Sequence, residues 1–124
     1  MIDHDRRIVA AGAILACLAV MLGAFGAHGL KQQVTVEALG WWQTAVQYQM
    51  WHALAVVALG LSRWGRQAFL PAMLFVAGVL IFSGTLYAMA LGAPLWLGAI
   101  TPVGGLLFIG GWVALAWQAM RRNS

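Results

Sequence analysis

Charged residues are confined to a few short stretches of this 124-residue chain, and long uncharged runs separate them. The stretches 8–30, 38–62 and 67–120 contain no Asp, Glu, Lys or Arg. A helix that spans a bilayer needs about 20 consecutive, mostly apolar residues. Only 8% of this chain is charged, compared with about 25% in an average soluble domain. The pattern therefore predicts an all-α integral membrane protein with a single membrane domain over residues 1–124.

The longest uncharged run, 67–120, has room for two spans and the turn between them. Gly92-Ala93-Pro94 marks that turn, because Pro interrupts a helix and Gly commonly ends one. Thr101-Pro102 is typical of a helix start, with Thr as the N-cap and Pro in the first turn. We therefore predict a bundle of four transmembrane helices at 7–28, 36–62, 68–91 and 102–120. The second exceeds the hydrocarbon thickness, so either its first turns project from the membrane or Gly40 bends it.

Six of the seven basic residues fall on one side of such a bundle. They are Arg6, Arg7, Arg63, Arg66, Arg121 and Arg122, whereas Lys31 stands on the other side beside Glu37. An excess of Lys and Arg marks the cytoplasmic side of a membrane protein, so both termini are predicted to be cytoplasmic. The net charge of +4 arises from these clusters, which adjoin the spans and favour contact with membrane lipids rather than nucleic acid.

Polar side chains concentrate in the half of the bundle away from the arginines, mainly on the second helix. Thr44, Tyr48 and His52 follow one another at intervals of four, so they share one helix face, and Gln49 is adjacent. Exposure of that face to lipid would leave these groups without hydrogen bonds, so we predict that it points into the bundle. The sequence thus predicts a polar cluster, or a crevice open to the outer side, with His28, Thr44, Tyr48, Gln49 and His52 as candidate ligand-binding residues.

His52 lies near the middle of its span, where an ionisable residue is by default a functional hypothesis. Three interpretations stay open: a neutral imidazole that holds the packing, a ligand or proton-relay group, and a metal or haem ligand. Haem ligation by His28 and His52 together is disfavoured, because their predicted depths differ by about 15 Å. No catalytic motif and no set of metal ligands is present. We therefore expect no catalytic residue, no metal, no cofactor and no enzymatic activity.

Small residues recur at intervals of four on two of the helices. They are Gly23 and Ala27 on the first, and Gly84, Ala88 and Gly92 on the third. Such spacing lets helices approach closely in a membrane. It fits packing within one bundle or an interface between copies of the chain.

Two segments carry a resemblance to a known family: Gly23-Ala24-Phe25-Gly26-Ala27-His28-Gly29-Leu30, and Trp42-Gln43-Thr44-Ala45 with Tyr48-Gln49-Met50 and His52-Ala53-Leu54. Both resemble the signature of the domain-of-unknown-function 423 family, small four-helix membrane proteins of bacteria similar to the eukaryotic transmembrane protein 256 group. The resemblance implies a multi-pass protein of the bacterial inner membrane and brings no established activity.

Three functions remain open at this point. The first is a structural or accessory membrane protein that forms a homo-oligomer or joins a larger membrane complex. The second is a carrier or channel for a small solute, lipid or proton that uses the outer crevice. The third is a redox subunit associated with quinone or haem.

Overall fold

A computed structural model describes the backbone of residues 3–121 and the side chains of residues 6–121. Arg122, one of the arginines used to predict orientation, lies outside them. The chain forms α1 (Asp3–His28), α2 (Val36–Leu61), α3 (Phe69–Gly78), α4 (Gly84–Ala90) and α5 (Thr101–Arg121). A π-helical segment, Val79–Ser83, joins α3 to α4, so these three elements make one continuous rod. The described residues contain no strand, and the fold is all-helical.

The ends of α2 are set by side-chain caps. The Thr35 hydroxyl accepts a hydrogen bond from the Ala38 backbone N–H at 3.0 Å, which satisfies one of the free donors of the first turn. Glu37 places a negative charge at the same end, where the helix dipole favours it. At the other end the Ser62 hydroxyl donates to the Leu59 carbonyl at 2.6 Å. Between these caps α2 is a continuous α-helix of 26 residues that includes Gly40.

The turn between α4 and α5 begins with a Schellman motif. Ala93 N–H donates to the Ala88 carbonyl and Gly92 N–H to the Met89 carbonyl, and Gly92 adopts a φ of +108°. A residue with a side chain rarely adopts that conformation, which explains why Gly ends this helix. A 3-10 helix, Leu95–Ala99, then leads into α5.

Thr101 does not act as the N-cap that the sequence predicts. It is the first residue of α5, and its hydroxyl lies 2.6 Å from the Thr85 hydroxyl and 3.2 Å from the Leu97 carbonyl. The preceding 3-10 helix carries the chain directly into α5, so the Thr101 side chain turns toward α4 instead of the free N–H groups of its own helix.

Successive long helices run antiparallel, and α2 lies at the centre. It packs against α1 on one side and against the α3–α4 rod on the other, while α5 packs mainly on α3 and the π segment. One end of the bundle carries exposed arginines, and we call it the arginine end: Arg6, Arg7, Arg63, Arg66 and Arg121. The opposite end carries exposed Lys31 and Glu37, and we call it the Lys31 end.

Glycines allow the close approach of α5 to the rod. A Cβ at Gly104 would lie 2.4 Å from the Phe82 backbone nitrogen, and one at Gly78 would lie 2.5 Å from the Phe108 ring. In the same way, Gly12 lets α1 approach the Val57 backbone of α2. Small residues at interfaces let helices gain van der Waals contact in a membrane, so these glycines set the distances between the helices.

The outer surface of the bundle is apolar along most of its length. Large apolar side chains are widely exposed on α1, the rod and α5, as is expected where lipid takes the place of water. Three stretches are long and apolar enough to cross a membrane: Arg6–His28, Gly65–Ala90 and Leu95–Arg121. The length of α2 also suffices, but its glutamines and His52 lower its mean hydropathy, and it is not among the three.

Candidate functional site

His52 occupies the centre of the bundle and links α2 to α5. Its side chain is only 4% exposed, and both ring nitrogens have partners. Nδ1 lies 2.7 Å from the Tyr48 carbonyl oxygen one turn earlier. Nε2 lies 3.0 Å from the indole Nε1 of Trp112 on α5.

These two partners define the protonation state of the imidazole. An indole N–H can only donate, so Nε2 of His52 must accept from Trp112. A carbonyl oxygen can only accept, so Nδ1 must carry the proton that goes to Tyr48. The hydrogen bonds are therefore satisfied by the neutral Nδ1–H tautomer, since a second proton on Nε2 would face the indole N–H.

Aromatic rings surround the imidazole. The Phe108 ring of α5 stacks on it with centroids 3.7 Å apart and planes 10° apart. Phe75 of α3 lies 5.2 Å away, and Trp112 packs on Phe75 at 4.6 Å. The indole of Trp112 is 45% exposed, so it separates the buried imidazole of His52 from the surface of the bundle. The imidazole thus sits in an apolar pocket that its own chain fills.

Gln49 joins three helices. Its side-chain amide nitrogen donates to the Leu15 carbonyl of α1 at 2.8 Å, and its amide oxygen accepts from the Tyr87 hydroxyl of α4 at 2.6 Å. The Gln49 side chain is 3% exposed. A buried amide that lost either partner would leave an unpaired polar group, so Gln49 fixes α1 and α4 relative to α2.

Trp42 repeats this arrangement closer to the Lys31 end. Its indole N–H donates to the Leu22 carbonyl of α1 at 2.8 Å, and its ring packs edge-on against Tyr87 at 4.7 Å. The indole lies against Gly26, where an added Cβ would approach it to 2.6 Å. Trp42 is 3% exposed and therefore belongs to the interior of the bundle.

Two further hydroxyls connect the rod to its neighbours. Ser83, the last residue of the π segment, donates to the Ala45 carbonyl of α2 at 2.7 Å and is 1% exposed. Thr85 in α4 pairs with Thr101 of α5. A π-helical turn shifts the side chains that follow it around the helix axis, and here the segment ends at the serine that reaches α2.

The buried polar side chains are thus paired within the chain. Gln49, His52, Ser83 and Thr101 are the buried polar residues of the described part, and each has a hydrogen-bond partner. The exception among individual atoms is Oε1 of Gln118, which is buried without a partner. Gln118 lies about 9 Å along α5 from Trp112, toward the arginine end. No group of three or more potential metal ligands occurs in the described part of the chain.

A groove of about 260 Å³ lies between α1 and α2 in the half of the bundle nearer Lys31. Its residues are Gly23, Ala27, Trp42, Gln43, Val46 and Gln47. The side chains of Gln43 and Gln47 are exposed. Neither makes a side-chain hydrogen bond within the described residues. The groove therefore presents two amides without hydrogen-bond partners on a helix surface whose other outward-facing groups are apolar.

The structure does not bring all the candidate ligand-binding residues together. Gln49 and His52 are buried, while Thr44 and Tyr48 are half-buried. The Tyr48 ring packs on Phe82 at 4.6 Å. His28 is exposed at the end of α1. His52 lies about 24 Å along α2 from Val36, the first residue of that helix. The two histidines therefore do not share a site.

The small residues singled out in the sequence differ in their surroundings. Gly23 faces α2, with Val46 3.3 Å from the position of an added Cβ, and Ala27 is exposed beside it in the groove. An added Cβ at Gly84 or Gly92 would meet nothing within 4 Å, and Ala88 is half-buried. The closest helix contacts use other glycines, Gly26, Gly78, Gly104 and Gly111.

Sequence reasoning missed the partners of the polar residues on α2. Trp112 and Tyr87 are separated from them by 60 and 38 positions, and no local spacing links positions so far apart. The mid-depth position of Trp112 is the one available signal, because an indole N–H in hydrocarbon needs an acceptor.

Comparison with known proteins gives consistent matches. A family model described as protein of unknown function (DUF423) matches residues 22–105. A UPF0382 membrane protein of Haemophilus influenzae is 44% identical over 107 residues, which cover 85% of this chain and 86% of that protein. The UPF0382 membrane protein YwdK of Bacillus subtilis is 44% identical over 115 residues, covering 89% and 93%. The UPF0382 inner membrane protein YgdD of Escherichia coli is 38% identical over 121 residues, covering 94% and 92%. No solved structure matches this chain significantly.

Proposed function

We propose that this chain, which belongs to the DUF423 family of membrane proteins, is a structural or accessory protein of the bacterial inner membrane. It acts through helix–helix association, either in a homo-oligomer or as a subunit of a larger membrane complex. In this proposal its polar residues hold the helices in position and take no part in chemistry.

The observation that carries this proposal is the pairing of the buried polar side chains. His52 and Gln49, the two residues best suited to bind a ligand, each use their polar atoms on other parts of the same chain. A ligand would have to displace an indole N–H or a tyrosine hydroxyl, and the displaced group would stay unpaired in an apolar interior. Interhelical hydrogen bonds of this kind stabilise membrane bundles.

The same proposal includes four membrane spans with both termini in the cytoplasm. It is supported by the antiparallel order of the long helices and by the exposed arginines at one end of the bundle. In this orientation α2 crosses the membrane with Gln49 and His52 shielded by α1, the rod and α5, while Gln43 and Gln47 face outward. The groove then lies in the outer half of the membrane.

The experiment is native mass spectrometry of the full-length protein, released from mild detergent micelles. We expect a defined oligomer or a complex with a second membrane protein. A monomer that carries no partner, at protein concentrations comparable to those in the membrane, contradicts the proposal.

A carrier for a small solute or a lipid is the second candidate, and the groove is the observation that favours it. Its unpaired amides could hydrogen-bond a polar group that enters from the outer leaflet. Purified protein in liposomes would then raise the flux of that solute above the flux in empty liposomes, and Gln47→Leu would reduce it. Equal flux with and without the protein removes this candidate.

A further inference from the structure

The exposed residues of α2 form a single stripe along the helix. Beyond the first turn they are Gly40, Gln43, Gln47, Trp51, Leu54, Ala58 and Leu61, and we call this set the α2 seam. Neighbouring members are three or four residues apart. Positions 40, 47, 54 and 61 repeat every seven residues, the period that keeps two parallel helices in contact along their length.

We infer that the α2 seam is the surface on which a second copy of this chain docks, so that two α2 helices pack side by side about a twofold axis. This inference rests on the proposed function and names its partner as an identical chain. The Gln43 and Gln47 amides of each copy would pair across the axis.

The depth of Gln47 makes its amide costly without such a partner. If Leu61 lies at one boundary of a hydrocarbon layer about 30 Å thick, Gln47 lies about 6 Å beyond its midplane and Gln43 about 12 Å beyond it. No water is available at the depth of Gln47, whereas Gln43 lies within about 3 Å of the far boundary. Neither amide makes a side-chain hydrogen bond within the described residues, so each gains a full set of partners only from outside the chain.

An identical helix supplies what these amides need. A primary amide both donates and accepts, so two copies of Gln47 can form reciprocal hydrogen bonds. Both copies have the same orientation in the membrane, because the same arginines set it. A twofold axis along the membrane normal therefore places each glutamine at the depth of its own counterpart, as an isologous interface requires. A single polar residue at such a seam position also fixes the register of the two helices.

The groove beside the seam fits this arrangement better than it fits a small molecule. Its volume of about 260 Å³ is below the 300–1,000 Å³ that is typical of ligand pockets. Ala27 is exposed at its edge and Gly23 lies beside it, so another helix can approach α1 and α2 closely.

Disulfide cross-linking in membranes tests the inference. In a full-length Cys17→Ala background, Gln47→Cys and Leu54→Cys place single cysteines on the seam, seven residues apart. Leu106→Cys and Val113→Cys place them with the same spacing on α5, where both residues are more than 60% exposed. We expect dimers cross-linked at positions 47 and 54, and at least tenfold fewer at positions 106 and 113.

Each outcome separates this inference from the proposed function. Cross-links that favour α5, or that form equally at all four positions, contradict the α2 seam as the docking surface. They remain compatible with an oligomer, as in the proposed function. A cross-link from the seam to a different protein contradicts a second copy of this chain as the partner. It remains compatible with the accessory role in a larger complex. Monomers in every variant, together with a monomer in native mass spectrometry, overturn both.

A second measurement addresses the glutamines directly. Energy transfer between labelled copies, followed as the protein is diluted with lipid, gives the dissociation constant of the dimer. Gln47→Leu should raise that constant about three- to tenfold, in line with typical interhelical hydrogen bonds in membranes. Ala116→Leu, which enlarges an exposed residue of α5, is the control and should leave it unchanged. An unchanged constant in Gln47→Leu overturns the pairing of the amides.

Discussion

The indole N–H of Trp112 in α5 donates to Nε2 of His52 in α2 across 3.0 Å. This contact keeps the buried imidazole neutral, because Nε2 has to accept while Nδ1 donates to the Tyr48 carbonyl. It also ties the last helix to the centre of the bundle, since α5 otherwise packs mainly on α3 and the π segment.

The first prediction concerns the pair itself. Trp112→Phe keeps an aromatic ring beside Phe75 but removes the donor, and we expect the free energy of unfolding to fall by about 0.6–1.7 kcal/mol. The double variant with His52→Phe should cost less than the sum of the two single variants, since each removes the same bond. Reversible unfolding in bicelles measures both. Trp117→Phe, an exposed tryptophan of the same helix, is the control, and a coupling energy of zero would contradict the contact.

The second prediction concerns Gln49, which joins α1 to the rod. Tyr87→Phe removes one hydrogen bond, and we expect a loss of about 1 kcal/mol in stability. Gln49→Leu removes two bonds and frees α1, which packs mainly on α2. Hydrogen exchange of the α1 backbone amides should therefore rise more in Gln49→Leu than in Tyr87→Phe. If α1 exchanged at the wild-type rate in Gln49→Leu, the amide would not hold that helix.

The third prediction compares two adjacent glycines of α5. A Cβ at Gly104 would lie 2.4 Å from the Phe82 backbone nitrogen, whereas one at Gly105 would meet only the edge of the Phe82 ring at 4.0 Å. Backbone cannot move aside as easily as a side chain. Gly104→Ala should therefore cost about 1–3 kcal/mol, and Gly105→Ala should leave thermal stability in micelles near the wild-type value. Equal melting temperatures for the two variants would argue against this packing of α5 on the rod.

The fourth prediction concerns orientation. In a Cys17→Ala background, a cysteine at Gln33 should react with a membrane-impermeant maleimide added to the outside of intact spheroplasts. Cysteines at Ser62 and at Ser124 should react only after the membrane is permeabilised. The arginines at that end of the bundle account for the difference. Labelling of positions 62 and 124 from opposite sides would contradict two spans, the rod and α5, between them.

Much of the fold follows from the sequence. The charge-free runs require long helices in a membrane, and the Gly92 and Pro94 signals place a turn between two of them. The rotation of α2 about its own axis can also be inferred from the sequence, because Gln49 and His52 must avoid lipid. Both are buried in the structure. The π segment at Val79–Ser83 is different. Nothing in that apolar stretch of the sequence marks a wider turn, and it becomes apparent only where Gly104 and the Ala45 carbonyl meet the rod.

The candidate site shows the same division. The sequence grouped His28 with His52 as signature residues, yet α2 carries His52 into the interior while His28 stays exposed at the end of α1. It also identified Thr44, Tyr48 and His52 as one face, but the glutamines that lack partners, Gln43 and Gln47, lie on the seam.

By itself, the sequence determined that this chain resides in a membrane as a set of helices and which end carries the arginines, since both depend only on the cost of placing charge in hydrocarbon. Only the tertiary structure decided that Trp112 pairs with His52, that Tyr87 pairs with Gln49, and that two glutamines face outward. The reason is that lipid and protein interior are equally apolar. Hydropathy therefore carries little information about how each helix is rotated against its neighbours, and that rotation selects the partners.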